Sequence, residues 1–151
     1  MNSNELRRIL KDINFVNRYK SICSNHNDLK SSMSGNFRDQ YIKILADLGE
    51  EFKYFKKENF FRQEVDINDI TLGIQLTLKN GLVEASLDFQ VNGHYIAPDG
   101  RLDFIPAQLD EEFDRSRYNL PKYKSIEELK QILTDLFEIK RDLLLEIARV
   151  S

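Results

Sequence analysis

The sequence holds no tryptophan, one cysteine, two histidines, three prolines and six glycines, and each shortage excludes something. Cys23 has no second thiol to join, so no internal disulfide staples the chain and a reducing, cytoplasmic compartment is expected. Two histidines and one thiol are too few for the common structural zinc sites, and neither an H-E-x-x-H nor a C-x-x-C spacing occurs. Asp66-Ile67-Asn68-Asp69 opens like a calcium loop but lacks its later glycine and bidentate glutamate. The glycines are scattered, and none opens a helix in the G-x-x-x-x-G-K or G-x-G-x-x-G patterns that cradle phosphate. No metal and no cofactor is therefore expected. No apolar run approaches the roughly 20 residues needed to cross a bilayer, and Met1-Asn2-Ser3-Asn4-Glu5 lacks the apolar centre of a signal peptide. A basic excess is missing too. The formal net charge is -3, whereas general nucleic-acid binders gather cations on one face or stripe.

What is present is organised around Ile70 to Val91. Ile70, Leu72, Ile74, Leu76 and Leu78 alternate onto one face, and Val83, Ala85, Leu87, Phe89 and Val91 answer them across Asn80-Gly81, the signature of a type I′ turn. Such a turn pairs Leu78 with Val83, Leu76 with Ala85, Ile74 with Leu87, Leu72 with Phe89 and Ile70 with Val91. The other face then reads Thr77 with Glu84, Gln75 with Ser86, Gly73 with Asp88 and Thr71 with Gln90. Slipping by one residue would turn both apolar rows to water, so burial specifies this register. At 151 residues, 41% hydrophobic and 31% charged, the chain suits a single α+β domain over residues 1–151. A chain of this size buries about 68 to 70% of its unfolded surface.

On the N-terminal side, Leu6, Ile9, Leu10, Ile13, Val16, Tyr19 and Ile22 predict one amphipathic helix from about Ser3 to Cys23. Its outer face is basic, with Arg7, Arg8, Lys11, Arg18 and Lys20, and Cys23 ends the stripe as a small core residue. Ser24 to Gly35 reads as a loop with His26 on the surface. Phe37, Tyr41, Ile44, Leu45, Leu48, Phe52 and Phe55 predict a second helix, capped by Asn36 and running through Gly49 to about Glu58 because Phe52 and Phe55 keep the phase. The alternative is a stop at Gly49, with Phe52 to Phe55 starting the sheet. Phe60 to Val65 reads as a strand, and Asp66 to Asp69 as the turn into the hairpin.

After the hairpin, Asn92-Gly93 turns the chain into a short strand, His94 to Ala97, and Pro98-Asp99-Gly100 turns it again into Arg101 to Ile105. Pro106 to Lys124 shows no regular period. Ser125-Ile126-Glu127-Glu128 has capping-box form and starts a closing helix that runs to about Arg149. The expected architecture is an antiparallel sheet of four to five strands, centred on the hairpin 70–79/82–91, with two N-terminal helices and one C-terminal helix on one face.

Charge is most uneven between Glu84 and Asp114, where Glu84, Asp88, Asp99, Asp103, Asp110, Glu111, Glu112 and Asp114 face Arg101 alone. Tyr118 follows, with Arg115 and Arg117 beside it, and tyrosine and arginine dominate binding hot spots. Asp99, Arg101, Asp103, Asp110, Glu111, Glu112, Asp114 and Tyr118 form the candidate partner-binding set. Such carboxylates can stand in for phosphates and speed association with a cationic protein. Acid-base chemistry at Glu111 or Glu112 would need burial, which neighbouring Asp110 and Asp114 argue against, so an enzyme is not expected.

Acidic, α+β, single-domain and free of catalytic signatures, with Asp99-Gly-Arg-Leu-Asp103 and Asp110-Glu-Glu-Phe-Asp114 set after the hairpin, the chain resembles the small cytosolic immunity proteins that bacteria pair with polymorphic or contact-dependent toxins. That resemblance is in general character over the full length. It implies a cognate toxin, often a nuclease, neutralised by tight one-to-one binding, with no direct contact to nucleic acid or membrane. The chain is also similar to type III secretion chaperones, which would imply a homodimer that wraps an unfolded client segment. The helix those proteins place between strands is missing here.

Overall fold

The computed structural model describes residues 1–150. Its elements in chain order are α1 Ser3–Asp12, α2 Phe15–Asn25, α3 Arg38–Asp47, β1 Lys53–Phe55, β2 Phe60–Ile67, β3 Ile70–Lys79, β4 Leu82–Val91, β5 His94–Arg101, α4 Phe104–Leu109 and α5 Ile126–Val150. The strands make one antiparallel sheet in the order β1-β2-β3-β4-β5. The α+β class is therefore as expected, with five strands.

The central hairpin has the register that its apolar alternation dictates, from Leu78 opposite Val83 to Ile70 opposite Val91. Asn80 and Gly81 sit at φ +53° and +72°, the left-handed pair that a type I′ turn needs. Among the described residues, those other than glycine with positive φ are all asparagines: Asn14, Asn59, Asn68, Asn80 and Asn92. Asparagine tolerates this region better than bulkier residues, and four of the five lie in the turns of the sheet. The inner face of the hairpin joins the buried stripes of α1, α2 and α5 in one core. No helix among the described residues is long and apolar enough to cross a membrane.

Four expected elements are corrected. The first helix is two: Asn14, at φ +59°, ends α1 and restarts the chain as α2. The break advances the phase by one position, so Phe15 is 0% exposed while Val16 is only half-buried. The second helix stops before Gly49, which lies at φ +73°. Glu50 N–H donates to the Leu45 carbonyl at 3.0 Å and Gly49 N–H to that of Ala46 at 2.9 Å, the paired bonds of a Schellman motif. Lys53 to Phe55 then pair with Phe60 to Arg62 as an edge strand. The aromatic phase was misleading because the chain is extended here, with Phe52 packed on Phe137 and Phe55 on Phe60. At the start of α3 the cap position belongs to Phe37, and Asn36 instead donates its side-chain amide to Asn59.

The third correction is β5, which does not end at Ala97. Leu87 faces Gly100 and Phe89 faces Ile96, so Ala97, Pro98 and Asp99 bulge opposite Asp88 alone. A bulge accepts proline because the missing N–H is not asked to join the ladder. The fourth is the expected Arg101 to Ile105 strand: Arg101 ends β5, Leu102 and Asp103 turn, and α4 takes the rest together with the start of the irregular stretch. Pro106 falls in its first turn, where an N–H would have no helical acceptor. Ser125 accepts from Glu128 N–H at 3.0 Å, and α5 ends one residue beyond its expected limit.

Two irregular segments clamp the hairpin tip. Asn80 N–H donates to the Gly35 carbonyl at 2.9 Å, Tyr123 N–H to that of Gly81 at 2.9 Å and Val83 N–H to that of Pro121 at 3.0 Å. A Cβ on Gly81 would lie 2.5 Å from Ser32 Cβ and 2.8 Å from the Met33 carbonyl oxygen, whereas one on Gly93, at φ +81°, meets nothing within 4 Å. Gly93→Ala should therefore cost only backbone strain, about 1 kcal/mol. Gly81→Ala should cost at least about twice that, because the loop carrying Ser32 and Met33 must also withdraw. Urea midpoints of the two variants check this; equal losses would mean that the loops do not depend on the turn.

Candidate functional site

The eight carboxylates of the acidic segment do not form one surface. Asp103 is 1% exposed at the corner between β5 and α4, where Arg101 grips it with two bonds, Nε to Oδ1 at 2.7 Å and a terminal nitrogen to Oδ2 at 2.9 Å. Arg115 Nε approaches the same carboxylate at 3.6 Å, and Arg101 also lies 3.9 Å from Glu84. Both guanidiniums rest on the Phe104 ring, their carbons 4.8 and 3.9 Å from its centroid. The bond to Asp103 holds the Arg101 guanidinium above its ordinary value. Of the candidate set, then, Asp103 is inside and Arg101 is occupied with it.

Asp88 is neutralised from further away. Arg62 on β2 reaches across β3 to bond both Asp88 oxygens on β4, at 3.0 and 3.2 Å. It passes over Gly73, where a Cβ would stand 2.4 Å from both side chains. The glycine thus leaves room for an ion pair between strands that are not neighbours. Asp99 is held through its backbone, which exchanges bonds with the Gln108 side chain: its N–H donates at 3.4 Å and its carbonyl accepts at 2.8 Å.

The remaining four carboxylates of the segment gather in the turn after α4. Asp110 Oδ1 accepts from Glu112 N–H at 3.0 Å, and Asp114 Oδ1 from Ser116 N–H, the Ser116 hydroxyl and Arg117 N–H. The Ser116 bonds, side chain first, hold the Asp114 carboxyl below its usual value. Glu111, Glu112 and Asp114 are exposed, Asp110 is half-buried, and Phe113 between them is buried as the anchor. Tyr118 packs on Phe113 with centroids 5.7 Å apart, and the Lys20 ammonium and Arg117 guanidinium lie over its ring at 5.5 and 5.1 Å. The structure brings Asp110, Glu111, Glu112, Asp114 and Tyr118 together and leaves Asp103 behind them.

His26 is not on the surface. It is 8% exposed, with Nδ1 2.8 Å from a Glu128 carboxylate oxygen, because its loop folds back onto the start of α5. Burial raises the Glu128 carboxyl, but the bonds from His26 and Lys124 N–H, reinforced by those residues' charges, outweigh it and leave the group below its ordinary value. Single histidines carry no periodic signal, so only the tertiary contact could reveal this. Cys23 is buried in the core, as expected, and burial pushes its thiol up to about 11. His94 stands exposed opposite Val91. Comparison with protein-family models, curated proteins and solved structures found no match for the chain.

Two predictions follow from the buried contacts. Asp103→Asn should cost about 2 kcal/mol, because it removes a charged acceptor from Arg101, whereas Glu111→Gln and Glu112→Gln should change stability by less than about 0.5 kcal/mol. Urea unfolding compares the three. Glu128, with its carboxyl depressed in the folded state, contributes stability that is present above its unfolded value near pH 4.3 and is lost as pH falls through the folded value. The urea midpoint of the wild type should accordingly drop more steeply below about pH 4.3 than that of Glu128→Gln. Parallel curves would show that the His26 contact contributes nothing.

Proposed function

We propose that the chain is a cytoplasmic binding protein that neutralises a basic protein partner, as implied by its resemblance to bacterial immunity proteins, and that it works by occlusion rather than catalysis. The observation that carries this reading is the turn Asp110 to Asp114. Asp110 and Asp114 accept hydrogen bonds from the turn's own N–H groups, so Glu111 and Glu112 stand in solvent on a backbone that is already ordered. Arg115 and Arg117 are stacked on Phe104 and Tyr118 and make no salt bridge within 4 Å to these carboxylates. A preorganised anionic surface avoids ordering costs on binding and steers a cationic protein toward it. A toxin nuclease, whose substrate is polyanionic, is the partner class that this chemistry fits best.

The buried state of Asp103 and the capping roles of Asp110 and Asp114 select the variant to test. Glu111→Lys with Glu112→Lys should leave the urea midpoint nearly unchanged. It should weaken binding of a basic protein that co-purifies stoichiometrically from the native host by about fivefold or more, two charge reversals at about 0.5 to 1 kcal/mol each being the minimum. Undiminished affinity would reject the acidic turn as the interface. Recovery of an extended client segment bound to a homodimer would instead select the chaperone reading.

A further inference from the structure

The sheet has two edges, and the structure treats them differently. On β5 the outward backbone of Asp99 is bonded by the Gln108 side chain, and Pro98 removes a donor. On the other side, β1 covers β2 only from Phe60 to Arg62. Beyond it, Gln63 donates its side chain to the Glu51 carbonyl and to Glu50, and Glu64 to Ile67 run on without a neighbouring strand on that side among the described residues. Ile67 and Ile70 close the turn into β3, so the odd residues of β2 bond across to β3 and the N–H and C=O groups of Glu64 and Asp66 point outward. The segment is about 13 Å long.

Side chains along this edge sort by face. Glu64 and Asp66 stand exposed on the outer face, where Glu64 meets Arg62 and Asp66 accepts from the Thr71 hydroxyl at 2.6 Å. Val65 and Ile67 turn inward and are only half-buried. Beside Ile67 a groove continues toward Leu48 and α5, its floor apolar with Phe137, Leu144, Leu145 and Ala148 and its rim polar with Thr134, Glu138 and Arg141, and Leu145 is 62% exposed. Lys140, bonded to Glu50 and Gln63, closes one end.

We propose that this edge docks an extended segment of a partner protein in which basic and apolar residues alternate, adding a sixth strand beside β2. The free backbone groups require a strand, the two carboxylates require cations at every second position on the outer face, and the groove accepts the apolar residues between them. A second copy of the chain does not fit. Antiparallel pairing of two β2 edges about Val65 sets Glu64 against Asp66 twice, like charge on like. The surface lies at the opposite edge of the sheet from the acidic turn and does not depend on the function assigned to that turn.

The test uses acetylated Lys-Val-Lys-Leu-Lys-Val-Lys and its glutamate counterpart as probes, with amide hydrogen exchange read residue by residue. The lysine peptide should slow exchange at Glu64 and Asp66 and the glutamate peptide should not. Glu64→Lys with Asp66→Lys should weaken the lysine peptide by roughly tenfold and admit the other. Asp66→Pro, which deletes an outward donor that the fold does not use, should abolish protection while the rest of the exchange map stays native. Protection confined to Asp110–Asp114, equal binding of both peptides, or a concentration-dependent dimer that protects the same amides would each overturn the proposal. Should Asp66→Pro fail to fold, the two peptides on the wild-type chain still decide it.

Discussion

The tip of the central hairpin, more than any helix, is the constraint on which the rest of the molecule depends. A type I′ turn needs two left-handed residues, and Asn80-Gly81 supplies them with the twist that keeps β3 and β4 paired. Here Gly81 is also buried under Ser32 and Met33, and the dipeptide is bonded to Gly35 and Tyr123. From it a chain of contacts spreads outward. Met33 N–H donates to the Tyr123 carbonyl, the Tyr123 hydroxyl meets that of Tyr41 on α3 at 2.7 Å, and Lys122 N–H donates to the His26 carbonyl. His26 reaches Glu128 on α5, and the Tyr19 hydroxyl of α2 donates to the Asn119 carbonyl. Two segments with little periodicity of their own are thus ordered by one turn, which satisfies backbone groups that burial would otherwise leave unpaired.

Charge follows a similar logic of internal settlement. A linear count between Glu84 and Asp114 sees eight acids and one arginine, but folding brings Arg62 from β2 to Asp88 and turns Arg101 and Arg115 onto Asp103. Burying a carboxylate without such partners would be far costlier than leaving it in water, so the innermost acid is the one most fully gripped. What survives as an anionic surface is the short turn after α4, with its backbone fixed by its own aspartates. The aromatic residues around it act as platforms for cations: Phe104 for two arginines, Tyr118 for Lys20 and Arg117.

The two ends of the sheet are also unlike. Exposed edge strands invite pairing, and natural sheets usually blunt them with proline, bulges or charge. The β5 edge carries a bulge, Pro98 and the Gln108 side chain, whereas the β2 edge carries only Glu64 and Asp66 beside an open apolar groove. One edge is closed to strands in general, and the other leaves the hydrogen-bonding groups of Glu64 and Asp66 without a neighbouring strand among the described residues.

The sequence by itself determined the hairpin register, the turn asparagines at 80 and 92, the closing helix with its Ser125 start, and the α+β class. In each of these the apolar period and the local turn or cap chemistry point to the same answer, so neighbouring residues suffice. Only the tertiary structure decided that Asn14 breaks the first helix, that Gly49 ends the second and that Pro98 bulges. Each position tolerates either outcome locally, and distant packing selects one: Phe15 into the core, Phe52 onto Phe137, Gly100 opposite Leu87. The partition of the acidic residues was likewise illegible, since Arg62 lies 26 positions from Asp88 and the pair exists only because a side-chain-free Gly73 stands between them. Local chemistry writes strands and turns, while which charge is buried against which depends on the three-dimensional meeting of segments that share no sequence period.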